Sequence, residues 1–226
     1  MATVSVVLPC LNEEAALASV IDRIREVFAK YRIKGEIIVV DNGSTDSSSE
    51  IALEKNVILV HEPKRGYGNA YRAGFGIAKG DIIVMGDADG TYDFAYIPSM
   101  IQALCHADFV IGHRKYIQKN AMPWLHRYIG NPFFSALLRM FFHLRISDSH
   151  CGFGAIKAQA LEKLELRSAG MEFASEILIQ AKRKRLRIAE LPIIYHSRAG
   201  VSKLRSFRDG MRHLTLIANE FMKQSV

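Results

Sequence analysis

Short β-branched runs alternate with helical patterns throughout the first half of the chain. A helical pattern opens at Asn12-Glu13-Glu14 and places apolar residues at the 3.6-residue period, and similar patterns cover 47–55 and 69–79. The alternation is typical of βαβ units and predicts an α/β fold with a mainly parallel sheet flanked by helices. The predicted strands are Val4–Leu8, Glu36–Val40, Val57–Val60 and Asp81–Met85.

Polar segments follow three of these strands directly. They begin at Pro9, at Asp41 and at Asp87, and each contains further carboxylates or amides. Ligands of an open parallel sheet bind outside the carboxyl ends of its strands. We therefore expect these three segments to converge on one binding site at one edge of the sheet.

The most informative of these segments is Asp87-Ala88-Asp89, which ends the apolar run 81–86. Two carboxylates one residue apart can hold one divalent cation and leave coordination positions free for the phosphates of a ligand. The tripeptide alone is also compatible with an ordinary acidic turn. The interpretation as a metal site therefore depends on the neighbouring motifs.

Composition limits the domain organisation and the class of partner. The 226 residues, 49% of them hydrophobic, suffice for one core and predict a single domain over 1–226. The net charge of +7 predicts an anionic partner. The N-terminus resembles no signal peptide and no apolar run reaches the roughly 18 residues of a spanning helix. We expect a cytoplasmic protein whose membrane contact is peripheral.

Four ordered motifs resemble glycosyltransferase family 2. A second set resembles the branch of that family that contains dolichyl-phosphate mannosyltransferase and the bacterial polyprenyl-phosphate hexosyltransferases. The first set is Val6–Glu14, Val39–Asp46, Arg65–Gly74 and Asp87–Asp89. The second set is Gly130-Asn131, Asp148–Phe153, Met171–Glu176 and Arg198–Leu204.

The resemblance implies a GT-A fold, a Rossmann-like domain in which 1–112 binds the nucleotide sugar and 113–226 binds the acceptor. It implies transfer of a hexose from a nucleotide diphosphate sugar with inversion. It also implies that Pro9, Asn12 and Glu13 line the nucleotide pocket and that Asp41 holds the base or ribose. Ser44 and Asp46 are expected to cap the next helix. Gly66 opens a helix whose backbone N–H groups can meet phosphate, although an ordinary helix start fits equally well.

The resemblance assigns Asp87 and Asp89 to the catalytic metal, Mg²⁺ or Mn²⁺. Asp87 is expected on the sugar or ribose side and Asp89 at the cation that bridges the diphosphate. Close relatives often carry Gln two residues after the second aspartate, whereas this chain has Thr91. The identity of a third protein ligand stays open.

Four basic residues match acceptor-side or diphosphate-side motifs: Arg114, Arg127, Arg198 and Lys203. We expect Arg198 and Lys203 to be catalytic and Arg114 and Arg127 to bind ligand, with a solvated surface position as the alternative for each. A phosphate acceptor is already ionised near neutral pH and needs no base. For a hydroxyl acceptor, Glu172 or Asp148 would be the base.

Two further features concern the acceptor side. Relatives commonly carry Arg after the Gly-Phe of the Asp148–Phe153 motif, where this chain has Gly154. The stretch 114–145 mixes aromatic residues such as Trp124, Tyr128 and Phe142 with arginines, a composition suited to a membrane interface. The alternative is a helix that packs its apolar side on the sheet.

The resulting hypothesis is a metal-dependent inverting transferase that moves a hexose from GDP-mannose or a UDP-hexose to a polyprenyl or dolichyl phosphate at the cytoplasmic membrane face. A membrane-anchoring partner subunit, or an anchor removed from the chain, would be compatible with it. A transferase acting on a saccharide hydroxyl and a non-catalytic sugar-nucleotide-binding subunit are the alternatives. Nucleic acid is not an expected partner, because the basic run 182–185 stands without a nucleic-acid-binding module.

Overall fold

One seven-stranded sheet forms the centre of the molecule. The computed structural model describes residues 2–119, 121–200 and 206–223. In these residues the strands run in the order β3-β2-β1-β4-β6-β5-β7, and β6 alone is antiparallel to its neighbours. The strands are β1 Val4–Cys10, β2 Gly35–Asp41, β3 Ile58–His61, β4 Ile82–Met85, β5 Phe109–Ile117, β6 Gly154–Lys157 and β7 Ile188–Tyr195.

Helices cover both faces of the sheet, so its central strands are apolar on both sides. Val6, Val7 and Leu8 of β1 are fully buried in succession, as expected for a parallel strand between two helical layers. The helices of the described residues are α1 Glu14–Tyr31, α2 Ser48–Glu54, α3 Tyr67–Ile77, α4 Ile97–Ala103, α5 Asn131–Phe142, α6 Ala158–Leu161, α7 Phe173–Arg183 and α8 Ser206–Met222.

The two predicted halves of the chain contribute to the same sheet. The first half supplies β1 to β5, and β6 of the second half is inserted between β4 and β5. Across the helical layer, Tyr71 of α3 stacks on Phe173 of α7 with ring centroids 5.2 Å apart. The separate roles assigned to 1–112 and 113–226 stay a prediction.

The expected helix within the stretch 114–145 is wrong for its first part. Arg114 lies on β5, which is longer than predicted and continues past a register shift between Arg114 and Tyr116. A π-helical turn, His126–Gly130, then leads into α5. The predicted strand from Cys151 begins only at Gly154, because the preceding loop bonds elsewhere: the Gly152 N–H donates to the Tyr92 hydroxyl at 2.8 Å.

The aromatic residues of this stretch divide between core and surface. Phe142 is buried against the core, whereas Trp124, Tyr128, Phe133 and Met140 are exposed. Both interpretations of the stretch therefore hold, each for different residues.

Gly154 lies in the centre of the sheet, paired with Met85 of β4 and Ile111 of β5. A Cβ atom at this position would lie 2.8 Å from the carbonyl oxygen of Val110. The arginine that relatives commonly carry here therefore has no space in this sheet.

We expect Gly154→Ala to lower the free energy of unfolding by about 1–3 kcal/mol, the usual cost of overpacking a core. Gly76→Ala is the matched control, because a Cβ at that position in α3 meets nothing within 4 Å. It should be neutral or stabilising by about 0.5–1 kcal/mol, the helical cost of glycine. Urea unfolding of both variants measures the difference. A Gly154→Ala protein as stable as the wild type would contradict the packing argument.

Candidate active site

The loops after β1 and β2 are held together by side-chain hydrogen bonds. Asn12 has a positive φ of 54°, and its Oδ1 accepts the Thr45 N–H at 2.7 Å. The Asn12 N–H in turn donates to the Ser44 hydroxyl at 3.0 Å. Asp46 accepts the N–H groups of Ser48 and Glu14, so it caps the second helix, as predicted, and also bonds to the first turn of α1.

Asp41 is buried and bonds within its own loop. Its Oδ1 accepts the Ser44 N–H at 3.0 Å, and its Oδ2 lies 3.3 Å from His61 Nδ1. Burial alone would raise the pKa of Asp41, but hydrogen bonds from Ser44 and His61 lower it below the ordinary value. Asp41 does not line the cavity described below, and its contact with a base or ribose stays a prediction.

The Arg65-Gly66 turn begins α3 at a backbone position reserved for glycine. Gly66 has a φ of 143°, and a Cβ there would lie 2.1 Å from the Ala169 carbonyl oxygen. Its N–H donates to Asn42 Oδ1 at 2.6 Å. That N–H therefore fixes the loop in this structure, and phosphate binding by Gly66 stays a prediction.

Asp87 and Asp89 follow β4 and differ in their surroundings. Asp87 Oδ1 accepts the Tyr67 hydroxyl at 2.9 Å, and burial together with the charge of Asp89 raises the pKa of Asp87 well above its usual range. Asp89 is 1% exposed. Its Oδ1 accepts the N–H and the hydroxyl of Thr91 at 2.9 and 2.6 Å. Thr91 thus orients Asp89 through hydrogen bonds.

Arg198 connects the β1 and β4 loops through ion pairs. Its Nη1 lies 3.3 Å from Glu13 Oε1, and its Nη2 contacts Asp89 Oδ2. The backbone alongside is also tied to the β4 loop, since the Ala199 N–H donates to the Asp89 carbonyl at 3.1 Å. Lys203, the other predicted catalytic cation, lies outside the described residues.

A cavity of about 690 Å³ lies over these strand ends. It brings together most of the predicted site residues. The cavity also receives Arg208 and Arg212 from α8, which the sequence analysis missed because that helix reads as an ordinary amphipathic one. The predicted residues that line it are Pro9, Asn12, Glu13, Gly66, Asp87, Asp89 and Arg198.

A second cavity of about 590 Å³ adjoins the first and is mainly bounded by the acceptor half. Arg114 lines it but is paired: its Nε and Nη2 each lie 2.7 Å from an Asp148 carboxylate oxygen. Arg127 lines neither cavity. It is exposed on the π-helical turn with its guanidinium over the Tyr128 ring, and its ligand-binding role stays a prediction. The residues shared by both cavities are Tyr67, Asp87, Met171, Arg198 and Asp209.

Two neutral histidines line the second cavity and were also missed. The rings of His150 and His213 lie 4.4 Å apart, and each Nδ1 lies 2.8 Å from a serine hydroxyl. Burial lowers the pKa of His213 to about 4, and burial with the nearby His213 and Arg114 lowers that of His150 further below its usual value. His150 lies inside a recognised motif, but no sequence signal pairs it with His213.

The carboxylates considered as bases for a hydroxyl acceptor are already engaged. Asp148 forms the fork with Arg114, and Glu172 Oε1 accepts the Gly170 N–H at 3.0 Å. Glu176 accepts the N–H groups of Arg167 and Ser168, both at 2.9 Å. Glu176 therefore stabilises the loop before α7.

A family comparison decides the classification. Residues 5–165, well over half of the chain, match the model of Glycosyl transferase family 2. The chain belongs to glycosyltransferase family 2. The predicted family and the prediction of a transferase are confirmed.

Curated relatives within family 2 act on polyprenyl phosphates by name. The low-salt glycan biosynthesis hexosyltransferase Agl6 of Haloferax volcanii is 41% identical over 216 residues, covering 94% of this chain and 52% of the relative. The chain thus spans about half the length of that relative. The dolichyl-phosphate hexose transferase of the same organism is 32% identical, covering 91% of this chain and 88% of the relative. The undecaprenyl-phosphate mannosyltransferase of Micrococcus luteus is 29% identical, covering 88% and 86%. These relatives confirm the predicted branch of family 2.

Solved structures confirm the GT-A fold. Glucosyl-3-phosphoglycerate synthase from Mycobacterium tuberculosis, in complex with Mn²⁺, UDP and phosphoglyceric acid, matches with a TM-score of 0.77 at 23% identity. The match covers 97% of this family 2 chain and 78% of the other. Within its described residues, the chain has no helix that combines the length and apolar character needed to cross a bilayer.

We expect Asp148→Asn to lower the free energy of unfolding by about 3–5 kcal/mol, because it leaves the buried Arg114 guanidinium without its counter-charge. Glu26→Gln, which breaks the exposed Arg23–Glu26 pair, should cost about 0–1 kcal/mol. Urea unfolding compares the two. Equal effects would show that Arg114 does not depend on Asp148.

The same pair predicts a pH dependence. Burial raises the pKa of Asp148, but Arg114 outweighs it and the pKa is lowered in the folded protein. Its contribution to stability is therefore present above the unfolded pKa of about 3.9 and is lost as the pH falls through the folded value. The difference between wild type and Asp148→Asn should shrink accordingly on acidification.

Proposed function

We propose that this chain catalyses metal-dependent, inverting transfer of a hexose from a nucleotide diphosphate sugar to a polyprenyl phosphate. The observation that carries the proposal is the junction of the two cavities at Asp87 and Arg198. One cavity contains paired carboxylates and arginines suited to a nucleoside diphosphate. The other is lined largely by apolar residues, which suits a lipid-linked acceptor. The names of the curated relatives support both halves of the proposal.

The two aspartates fit a divalent cation such as Mg²⁺ or Mn²⁺. Asp89 Oδ2 is buried and accepts no hydrogen bond, and the raised pKa of Asp87 reflects negative charge that a cation would compensate. Within the described residues, no cluster of three or more histidine, cysteine or acidic side chains is placed to hold a metal. The diphosphate would therefore complete the coordination. A bound cation would stabilise the negative charge of the leaving nucleoside diphosphate.

Arginines of the first cavity would hold the diphosphate. Arg208 reaches it from α8 without an ion pair or hydrogen bond in the described residues. Arg212 lies beside it, with a distant contact of 3.9 Å to Glu172. Guanidinium groups bind phosphate oxygens in bidentate fashion, which makes such residues suitable partners for a diphosphate.

The engaged carboxylates favour a phosphate acceptor over a saccharide hydroxyl. Hydroxyl attack needs a base, whereas Asp148 and Glu172 bond to Arg114 and to the backbone. A phosphate monoester is already ionised near neutral pH. Its oxygen would attack the anomeric carbon from the second cavity and form the new carbon–oxygen bond. The bond to the donor phosphate would break on the opposite side, and its electron pair would leave with the nucleoside diphosphate.

An exposed apolar surface borders the second cavity and supports docking on a bilayer. We call it the aromatic rim and define it as Trp124, Leu125, Tyr128, Ile129 and Phe207. Trp124 is 66% and Phe207 84% exposed, and Leu125 and Ile129 also line the cavity. Aromatic side chains are favoured at the level of lipid headgroups. Contact with a bilayer would place the second cavity next to a polyprenyl phosphate.

Transfer should require both the metal site and a lipid phosphate. We expect Asp89→Asn to lower turnover at saturating Mn²⁺ by about 100-fold or more, the size of effect seen when one electrostatic stabiliser is removed. The assay measures radiolabelled hexose extracted with polyprenyl phosphate, using GDP-mannose and UDP-glucose as donors. Asp93→Asn is the control, since Asp93 lines neither cavity and pairs with Arg23. Donor binding without transfer to any acceptor would favour a non-catalytic subunit.

The aromatic rim gives a separate prediction. We expect Trp124→Ala with Tyr128→Ala to reduce recovery on phosphatidylcholine–phosphatidylglycerol vesicles by roughly tenfold or more, because each buried aromatic contributes about 1.5–3 kcal/mol. Tyr31→Ala is the matched control: Tyr31 is 51% exposed but ends α1, at the sheet edge opposite the site. Unchanged recovery of the double variant, with normal stability, would show that the rim does not contact lipid.

A further inference from the structure

Arg198 and the proposed cation share one ligand, Asp89. One carboxylate oxygen of Asp89, Oδ1, already accepts two hydrogen bonds from Thr91. The other, Oδ2, is buried against the guanidinium of Arg198. A cation that binds Asp89 through Oδ2 must therefore displace a positive charge that is already in contact with it.

Arg198 is the mobile member of this pair. The side chain of Arg198 is 25% exposed, whereas that of Asp89 is 2% exposed and held by Thr91. Gly200, which follows closely, has a positive φ of 97° and makes the turn after Arg198. Displacement would therefore move the guanidinium while the carboxylate keeps its position.

Glu13 provides a fixed second partner for Arg198. Its Oε1 lies 3.3 Å from Arg198 Nη1, and its side chain is 8% exposed. Its backbone is held at the start of α1, where its N–H donates to the Ser48 hydroxyl and its carbonyl accepts the N–H groups of Ala16 and Leu17. Arg198 can therefore leave Asp89 and remain near the cavity.

We propose that Arg198 occupies the cation position on Asp89 in the ligand-free enzyme and moves to the donor diphosphate when the nucleotide binds, with Glu13 as the residue that positions it. The inference rests on the proposed function, because it takes Asp89 as a metal ligand. A diphosphate offers Arg198 a stronger bidentate partner than one carboxylate oxygen. The exchange removes the repulsion between guanidinium and metal, so metal and nucleotide strengthen each other's binding by the same factor.

The test is the affinity for Mn²⁺ alone, measured on the 226-residue chain from the electron paramagnetic resonance signal of free Mn²⁺. We expect Arg198→Gln to bind Mn²⁺ about 5- to 150-fold more tightly than the wild type, the usual range of coupling between sites. It should bind UDP and GDP more weakly in the absence of metal. Arg198→Lys keeps the charge without the fork and should fall between the two, which gives a second measurement if the Gln variant is unstable.

Arg208→Gln is the matched control, since it removes one positive charge from the same cavity without releasing Asp89. Its Mn²⁺ affinity should change less than that of Arg198→Gln. Equal Mn²⁺ affinities for the two variants would overturn the exchange. Failure of the metal assignment itself has a different signature: Asp89→Asn would then bind Mn²⁺ in the presence of UDP or GDP as tightly as the wild type.

Discussion

The site depends on the reversal of strand order between β1 and β4. From β1 the sheet extends through β2 to β3 on one side and through β4 on the other, with Val7 beside Met85 in the shared register. The loops after β1 and β4 therefore border one crevice, the usual ligand position of an open α/β sheet. Glu13 comes from one loop and Asp89 from the other. Their separation allows a single guanidinium, that of Arg198, to contact both.

The nucleotide half could be predicted from sequence because its signals are local. The alternation of strands and helices and the polar residues at strand ends repeat at short intervals, so each element reports on itself. The predicted strand Val4–Leu8 lies within the observed β1, and Asp46 forms the predicted cap. Where the predicted boundaries fail, a tertiary contact is the cause. The loop before Gly154, for example, leaves the sheet and bonds to Tyr92.

The remaining parts of the site depend on contacts between distant segments. Arg208 belongs to a helix that looks like an ordinary amphipathic surface in the sequence, and only its docking beside the cavity gives it a ligand-facing position. Arg127 illustrates the opposite case. It lies among aromatic residues in a family-like motif, yet the π-helical turn directs it away from both cavities. His150 and His213 come from segments far apart, so their pairing has no sequence signature.

Charge balance links the two cavities. In the ligand-free structure, the arginines that line the second cavity are each paired with acids: Arg114 with Asp148, and Arg198 with Asp89 and Glu13. The nearby His213 is neutral near pH 7, because burial lowers its pKa to about 4. An acceptor phosphate would meet little uncompensated positive charge there. Under the proposed exchange, Arg198 leaves Asp89 when donor and metal bind, and it lines both cavities. Donor binding would therefore prepare the junction for an anionic acceptor, which favours an order in which the donor binds first.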